Sequence, residues 1–425
     1  MLNKNKVGIT GMGIVSSIGS DISSFCNSLK NGKSGIRQMA DTKEPKVSVD
    51  IAAEIQDFSF LNLLDRLENV PDQKRKYAKR LGQRAPFVVQ TSIISALEAW
   101  YNAGLFEKEA LPERMGLIVA GQNSTQNYQY DLIPKFMENP EYLSPRYALE
   151  FLETNQVGVL SEMLGIQGEG FVVGGASATG NVGVIKGYQQ VLAGFADVCL
   201  VVGTIADLSP MDMQGFINIG AMGGKKYIDQ PEKSCRPFDS QHEGFIYGQA
   251  SACLILESEA SAAKRGVPFL AEIKGGALNL DSNSSANPNL NGESKAMQSA
   301  LEQAGMSASD VDYVNTHGSS SALGDKTEAE AIGRVLGSRA SDVWLNATKG
   351  LTGHCLYSAG VVEVIATVLQ MREGFLHPNI NLEEPIHKDL KFCGAEAINH
   401  QVNVAITNSF GFGGINTSVV LERGK

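Results

Sequence analysis

The chain has 425 residues, 43% apolar and 19% charged, enough to bury a substantial core in two domains or one duplicated domain. Its net charge of −10 excludes a general nucleic-acid binder. Six cysteines without C-x-x-C spacing argue for reduced thiols in a cytoplasmic protein and give no zinc or other metal signal, and the sequence shows neither a signal peptide nor a transmembrane span.

In chain order, residues 7–10 read as a buried strand. Residues 74–84 hold six Lys and Arg in an otherwise acidic protein. On a helix, Lys76, Arg80 and Arg84 would share one face at four-residue spacing. Such a face is either simply solvated or a dock for an acidic partner. Apolar runs at 116–120, 171–173, 198–203 and 252–256 read as further strands, and a helix is expected over 178–192. Glu, Ser and Lys interrupt the apolar pattern at 258–264, which places a join there and divides the chain into halves 1–257 and 258–425. Strands are then expected at 311–315, 343–346 and 402–407. Buried strands alternating with helices give an α/β layered fold.

Four segments carry candidate chemistry. Residues 174–180 read Gly-Gly-Ala-Ser-Ala-Thr-Gly, with Ser177 between a strand and a helix. Locally, Ser177 is either a helix N-cap or a residue presented at a helix N-terminus, where free N–H groups favour negative charge. His317 opens His-Gly-Ser-Ser-Ser-Ala-Leu-Gly-Asp, with Glu328 three residues past the Asp. His354 ends Lys-Gly-Leu-Thr-Gly-His, which begins at Lys349, and Glu363 follows nine residues later. Residues 408–414 read Asn-Ser-Phe-Gly-Phe-Gly-Gly, with Asn416 beyond.

In this order and at these distances the segments resemble the condensing enzymes of the thiolase fold, the β-ketoacyl synthases. Arg236-Pro237-Phe238-Asp239 and Glu243-Gly244-Phe245 strengthen the resemblance, which spans nearly the whole chain. It implies a five-layer αβαβα fold of two similar halves, Ser177 in the first, His317, His354 and the glycine-rich segment in the second. It also implies Ser177, His317, His354 and Lys349 as catalytic residues, Glu328, Glu363 and Asn408 as supporting residues, Phe412 with Gly411 and Gly413 as a gate and oxyanion loop, and Ser319 and Ser321 as contacts to a pantetheine arm. Lys76, Arg80 and Arg84 would meet an acidic acyl carrier protein. No separate cofactor is implied, since the substrate rides on the carrier's phosphopantetheine, and a homodimer is expected. Two departures stand out: members carry a nucleophilic Cys where this chain has Ser177, and an acid where it has Gln249.

The first departure bears on chemistry. A thiolate accepts acyl groups readily, whereas a serine hydroxyl stays un-ionised without a dedicated base. Condensation needs that acyl acceptor; loss of CO2 from a malonyl thioester needs only stabilisation of the enolate oxygen. The resemblance therefore implies decarboxylation of malonyl-carrier protein to acetyl-carrier protein in polyketide β-branching. A non-catalytic partner subunit resembling a chain-length factor, and a Ser-dependent acyltransferase or condensing enzyme, are the alternatives. Cys355, beside His354, reads as a small buried residue.

Overall fold

A computed structural model describes residues 6–39 and 46–424. Ten strands carry the architecture: β1 (Val7–Ser16), β2 (Met115–Ala120), β3 (Gly170–Val173), β4 (Val198–Gly203), β5 (Ala250–Ser258), β6 (Ala271–Leu280), β7 (Tyr313–Asn315), β8 (Trp344–Asn346), β9 (Val404–Gly411) and β10 (Ile415–Arg423). The first five are ordered β3-β2-β4-β5-β1 and the second five β8-β7-β9-β10-β6, the same order twice. In each half the first three strands are parallel and the last two antiparallel. A short antiparallel pairing of Val7–Ile9 with 271–273 joins the halves. β2 and β4 are buried along their whole length, which is why they read as unbroken apolar runs.

The principal helices are α1 (Asp72–Gly82), α2 (Phe87–Asn102), α3 (Gln126–Glu138), α4 (Thr154–Leu164), α5 (Thr179–Leu192), α6 (Leu290–Ala304), α7 (Ala322–Leu336) and α8 (Ala359–Glu373). α5 and α8 are buried on nearly every side because they lie between the two sheets. α2 and α4 cover the outer face of the first sheet, and α6, backed by α7, that of the second. The result is the expected five-layer αβαβα arrangement of two similar halves.

The two central helices touch where each begins. A Cβ on Gly180 would lie 2.7 Å from the backbone nitrogen of Gly360, and one on Gly360 would lie 2.4 Å from that of Asn181. Only glycine permits this approach. It draws together the segments that precede α5 and α8, which hold Ser177 and His354.

Several boundaries differ from expectation. The strand expected at 7–10 runs on to Ser16, and that at 402–407 runs as β9 to Gly411. The segment 408–414 is thus largely hairpin strand, and only residues 412–414 form its turn, so it is not a free-swinging loop. α5 starts at Thr179, after a single 3-10 turn, Ala176–Ala178. The basic helix ends at Gly82, which packs against Phe60 and Ile93 ahead of Pro86. Arg84 lies beyond that end, so it does not continue the helical face of Lys76 and Arg80.

Candidate active site

Ser177 stands in the 3-10 turn between β3 and α5. Ala176 before it adopts φ 49, a left-handed conformation costly to a residue with a Cβ. Thr179 Oγ1 clamps the turn by donating to the Ala176 carbonyl at 2.7 Å, and Gly175 N–H donates to Gln122 Oε1 at 3.1 Å. The Ser177 side chain caps no helix; its hydroxyl meets His354 Nε2 at 3.0 Å.

The two imidazoles converge from separate elements. His317 follows β7 and His354 precedes α8, with ring centres 5.5 Å apart and planes at 79°. Phe245 packs edge-on to His354 and Phe410 to His317, giving the pair an apolar surround. Each ring's proton placement follows from its neighbours. His354 Nδ1 accepts the backbone N–H of Leu356 at 3.1 Å, so the neutral ring carries its proton on Nε2. His317 Nδ1 faces the Lys349 ammonium at 3.4 Å, which makes Nδ1 the acceptor and leaves Nε2 as the N–H. Burial above all, and then the Lys349 charge, hold both imidazoles well below their ordinary pKa of 6.5. The site therefore presents two neutral N–H donors, and His354 donates to Ser177 instead of taking its proton.

Lys349, fully buried in the turn before His354, donates to the His317 carbonyl and to the Glu363 carboxylate. Burial raises the Glu363 carboxyl to about 7 against the pull of that ammonium. Ser409 on β9 donates to its other oxygen at 3.4 Å. Glu328 on α7 accepts the N–H groups of His317 and Gly318 at 2.7 and 2.8 Å, and the Asn408 amide at 3.3 Å. These residues fix the histidines without touching the open space in front of them.

That space is a cavity of about 790 Å³ lined by Ser177, His317, His354, Ser319, Ser321 and Phe412 among others. Gly411 also lines it, while Gly413 lies in the hairpin turn. Phe412 is 38% exposed and stands 6.5 Å, ring centre to centre, from Phe216 across the mouth. Lys76 and Arg80 project from α1 in exposed ion pairs with Asp72 and Glu162. No thiol substitutes for the missing one: Cys235 and Cys355 are buried, and desolvation raises both to about 12. Gln249 lies outside this cavity, in the lining of a smaller one, accepting Ile55 N–H at 3.0 Å and donating to the Tyr247 hydroxyl at 3.2 Å. Among the described residues no group of three His, Cys, Asp or Glu side chains could hold a metal ion. Sequence reasoning missed Gln122, which has no motif around it, and Glu293, a cavity-lining acid that resembles any other acid in a first helical turn.

Comparison with known proteins identifies the family. Residues 4–262 match the family model "Beta-ketoacyl synthase, N-terminal domain" and residues 270–383 match "Beta-ketoacyl synthase, C-terminal domain". The chain is 36% identical to the "Polyketide biosynthesis malonyl-ACP decarboxylase PksF" of Bacillus subtilis (strain 168), covering 99% of this chain and 97% of that one. It is 33% identical to the "3-oxoacyl-[acyl-carrier-protein] synthase I, chloroplastic" of Arabidopsis thaliana, covering 99% and 87%. Among solved structures, "The ishigamide ketosynthase/chain length factor" superposes with a TM-score of 0.86 at 26% identity, covering 99% of each chain. The chain belongs to the β-ketoacyl synthase family of condensing enzymes.

Proposed function

We propose that this protein decarboxylates the malonyl group of a malonyl-acyl carrier protein, giving the acetyl-carrier protein of a polyketide pathway. One observation carries the reading: two neutral imidazole N–H groups face a cavity beside a serine that accepts a hydrogen bond from one of them. When the C–C bond to the carboxylate breaks, CO2 departs and the electron pair moves onto the thioester as an enolate. Its oxygen takes the negative charge, and His317 and His354 stabilise it. The aromatic surround disfavours the charged carboxylate and assists its loss. With no acyl-enzyme to attack, the enolate carbon takes a proton from water, and the product is an acetyl thioester.

The Ser-nucleophile alternative is weakened by the same geometry. A nucleophilic serine needs a base nitrogen at its hydroxyl, and His354 Nε2 already bears a proton there. The name of the Bacillus subtilis relative supports the decarboxylase reading directly. In this reading Ser319 and Ser321, 2.9 Å apart on the cavity wall, hold the pantetheine arm. Lys76, Arg80 and Arg84 offer the acidic carrier a positive approach, and the enzyme acts in the cytoplasm as a homodimer. Among the described residues no helix is long and apolar enough to cross a membrane.

The test is to incubate the protein with malonyl-carrier protein and weigh the intact carrier. Loss of one CO2, with the acetyl group left on the pantetheine, is the expected result. A carrier that keeps its malonyl group, or an acyl ester appearing on Ser177, overturns the reading.

A further inference from the structure

The cavity holds a carboxyl that the proposed reaction does not use. Glu293 stands in the first turn of α6, is 1% exposed, and lines the cavity. Its Oε2 has no hydrogen-bond partner. The charges that bear on it are all carboxylates, Glu328, Asp281 and Asp325. Each of those is already engaged. Asp281 accepts the Asn416 amide at 2.8 Å, and Glu328 accepts two backbone N–H groups. Asp325 accepts the N–H groups of Phe238 and Ser320 and faces His242 at 3.2 Å. Burial first, and then these neighbours, push the Glu293 carboxyl well above its usual range, which favours the neutral form, with an O–H to donate.

A buried polar atom without a partner is rare because it forfeits the hydrogen bonds it had in water. Glu293 lines the cavity while Oε2 itself is shielded from solvent, so a turn of the side chain brings that oxygen to an atom that arrives with a ligand. The first turn of α6 presses against the Asp281–Asn416 pair, where a Cβ on Gly292 would lie 2.5 Å from Asn416 Nδ2. α6 also packs beside α7, whose N-cap is Ser321. Glu293 thus belongs to the part of the molecule that Ser319 and Ser321 enter from α7. The three surrounding carboxylates make this region repel an anion, which excludes a phosphate or the malonyl carboxylate as its ligand. A neutral carbonyl suits it.

We propose that Glu293 is a substrate-binding residue, its carboxyl hydroxyl donating a hydrogen bond to an amide carbonyl of the pantetheine arm. The proposal rests on the reading above, that a pantetheine thioester occupies this cavity, and adds a recognition contact to it.

Steady-state kinetics on malonyl-pantetheine and on S-ethyl malonyl thioester, which has no amide, would test it. Glu293→Leu is expected to raise KM for malonyl-pantetheine about 5- to 10-fold, the worth of one neutral hydrogen bond, with kcat held within about twofold. KM for the S-ethyl thioester should not move. Glu293→Gln keeps a neutral donor and should stay within about twofold of the parent. An unchanged KM in Glu293→Leu, an equal rise for both thioesters, or a Gln variant as impaired as the Leu variant would overturn the assignment. If the Leu variant melts at a lower temperature, Glu293→Ala and Glu293→Gln supply the same comparison. If the parent enzyme decarboxylates neither thioester, the decarboxylase reading fails by itself. Calorimetric titration with S-acetyl-pantetheine then decides the contact: weaker binding to Glu293→Leu supports it, and equal binding or none to the parent refutes it.

Discussion

At position 177 the chain has a hydroxyl where the family resemblance implies a thiol, and on the proposed reading the proton on His354 Nε2 makes that exchange a change of reaction. The nitrogen that would steady an enolate oxygen carries a proton and so offers Ser177 no base, which leaves the hydroxyl un-ionised. Replacing either His317 or His354 by Ala should therefore lower kcat for decarboxylation by about 10²–10³-fold, the effect of losing one oxyanion donor. Ser177→Ala should cost less than about tenfold, because the hydroxyl neither attacks nor leaves. Steady-state rates on malonyl-carrier protein separate these outcomes, and a dead Ser177→Ala enzyme would point to ester chemistry. The pH profile follows from the same groups. Both imidazoles act as neutral donors and both are held below 6.5, so kcat should persist as pH falls past 6.5 and decline only at lower pH. Lys349→Met removes a positive charge beside His317, lets that ring take up a proton at higher pH, and should move the acid limb upward. A limb that stays in place would show that burial alone sets it. The motif residues were legible in the sequence because each lies in a segment of fixed spacing. Glu293 was not, since nothing in a linear sequence tells a neutral acid in a cavity from a charged one in solvent.

Helices and strands hold these residues in place through a few close approaches. The hairpin of β9 and β10 lies so near the turn at Ser177 that a Cβ on Gly411 would stand 2.4 Å from the Gly175 carbonyl oxygen. Neither backbone can yield cheaply, since β9 pairs with β7 and β10 while the turn is clamped by Thr179. Gly411→Ala should cost about 1–3 kcal/mol of stability and push Ser177 away from His354. Thermal melting and kcat measured together would check this; a variant with parental activity would show that the hairpin is looser than it looks. The central strands β2 and β4 were readable because parallel strands buried on both faces are continuously apolar. β6 and β10 were not. In β6 the paired Glu272 and Lys274 and two glycines break the apolar pattern, and in β10 Ile415 is followed by the buried polar Asn416, Thr417 and Ser418, the last two bonded to Ser409 and Asn408 on β9. Their strand character comes from their partners, which local pattern cannot supply.

On the scale of the whole molecule, the repeat of five strands is imperfect at one place, and that place argues for a second copy of the chain. In the C-terminal half the edge strand β8 is covered by the short parallel strand Lys391–Phe392. Among the described residues its counterpart β3 pairs with β2 alone, with no strand on its other side. A bare edge offers unpaired N–H and C=O groups to another chain unless something covers it. Phe171 on β3 is 40% exposed, and Ile133, Phe136 and Met137 on α3 are exposed as well, an apolar set unusual on a free surface. Pairing of two β3 strands across a twofold axis would cover the β3 edge and extend the sheet between protomers. It would also brace α3, whose first residue Gln126 lines the cavity together with Gln122 and Asn123. If the dimer forms, it bears on the site as well as on the surface. Sedimentation at micromolar concentration should give twice the chain mass. Phe171→Glu places like charges near each other at the axis and should yield a monomer. That monomer should keep its far-UV circular dichroism but lose decarboxylase activity, because one wall of the cavity has lost its support. A parent protein that sediments as a monomer, or a monomeric variant with full activity, would separate the edge strand from the chemistry.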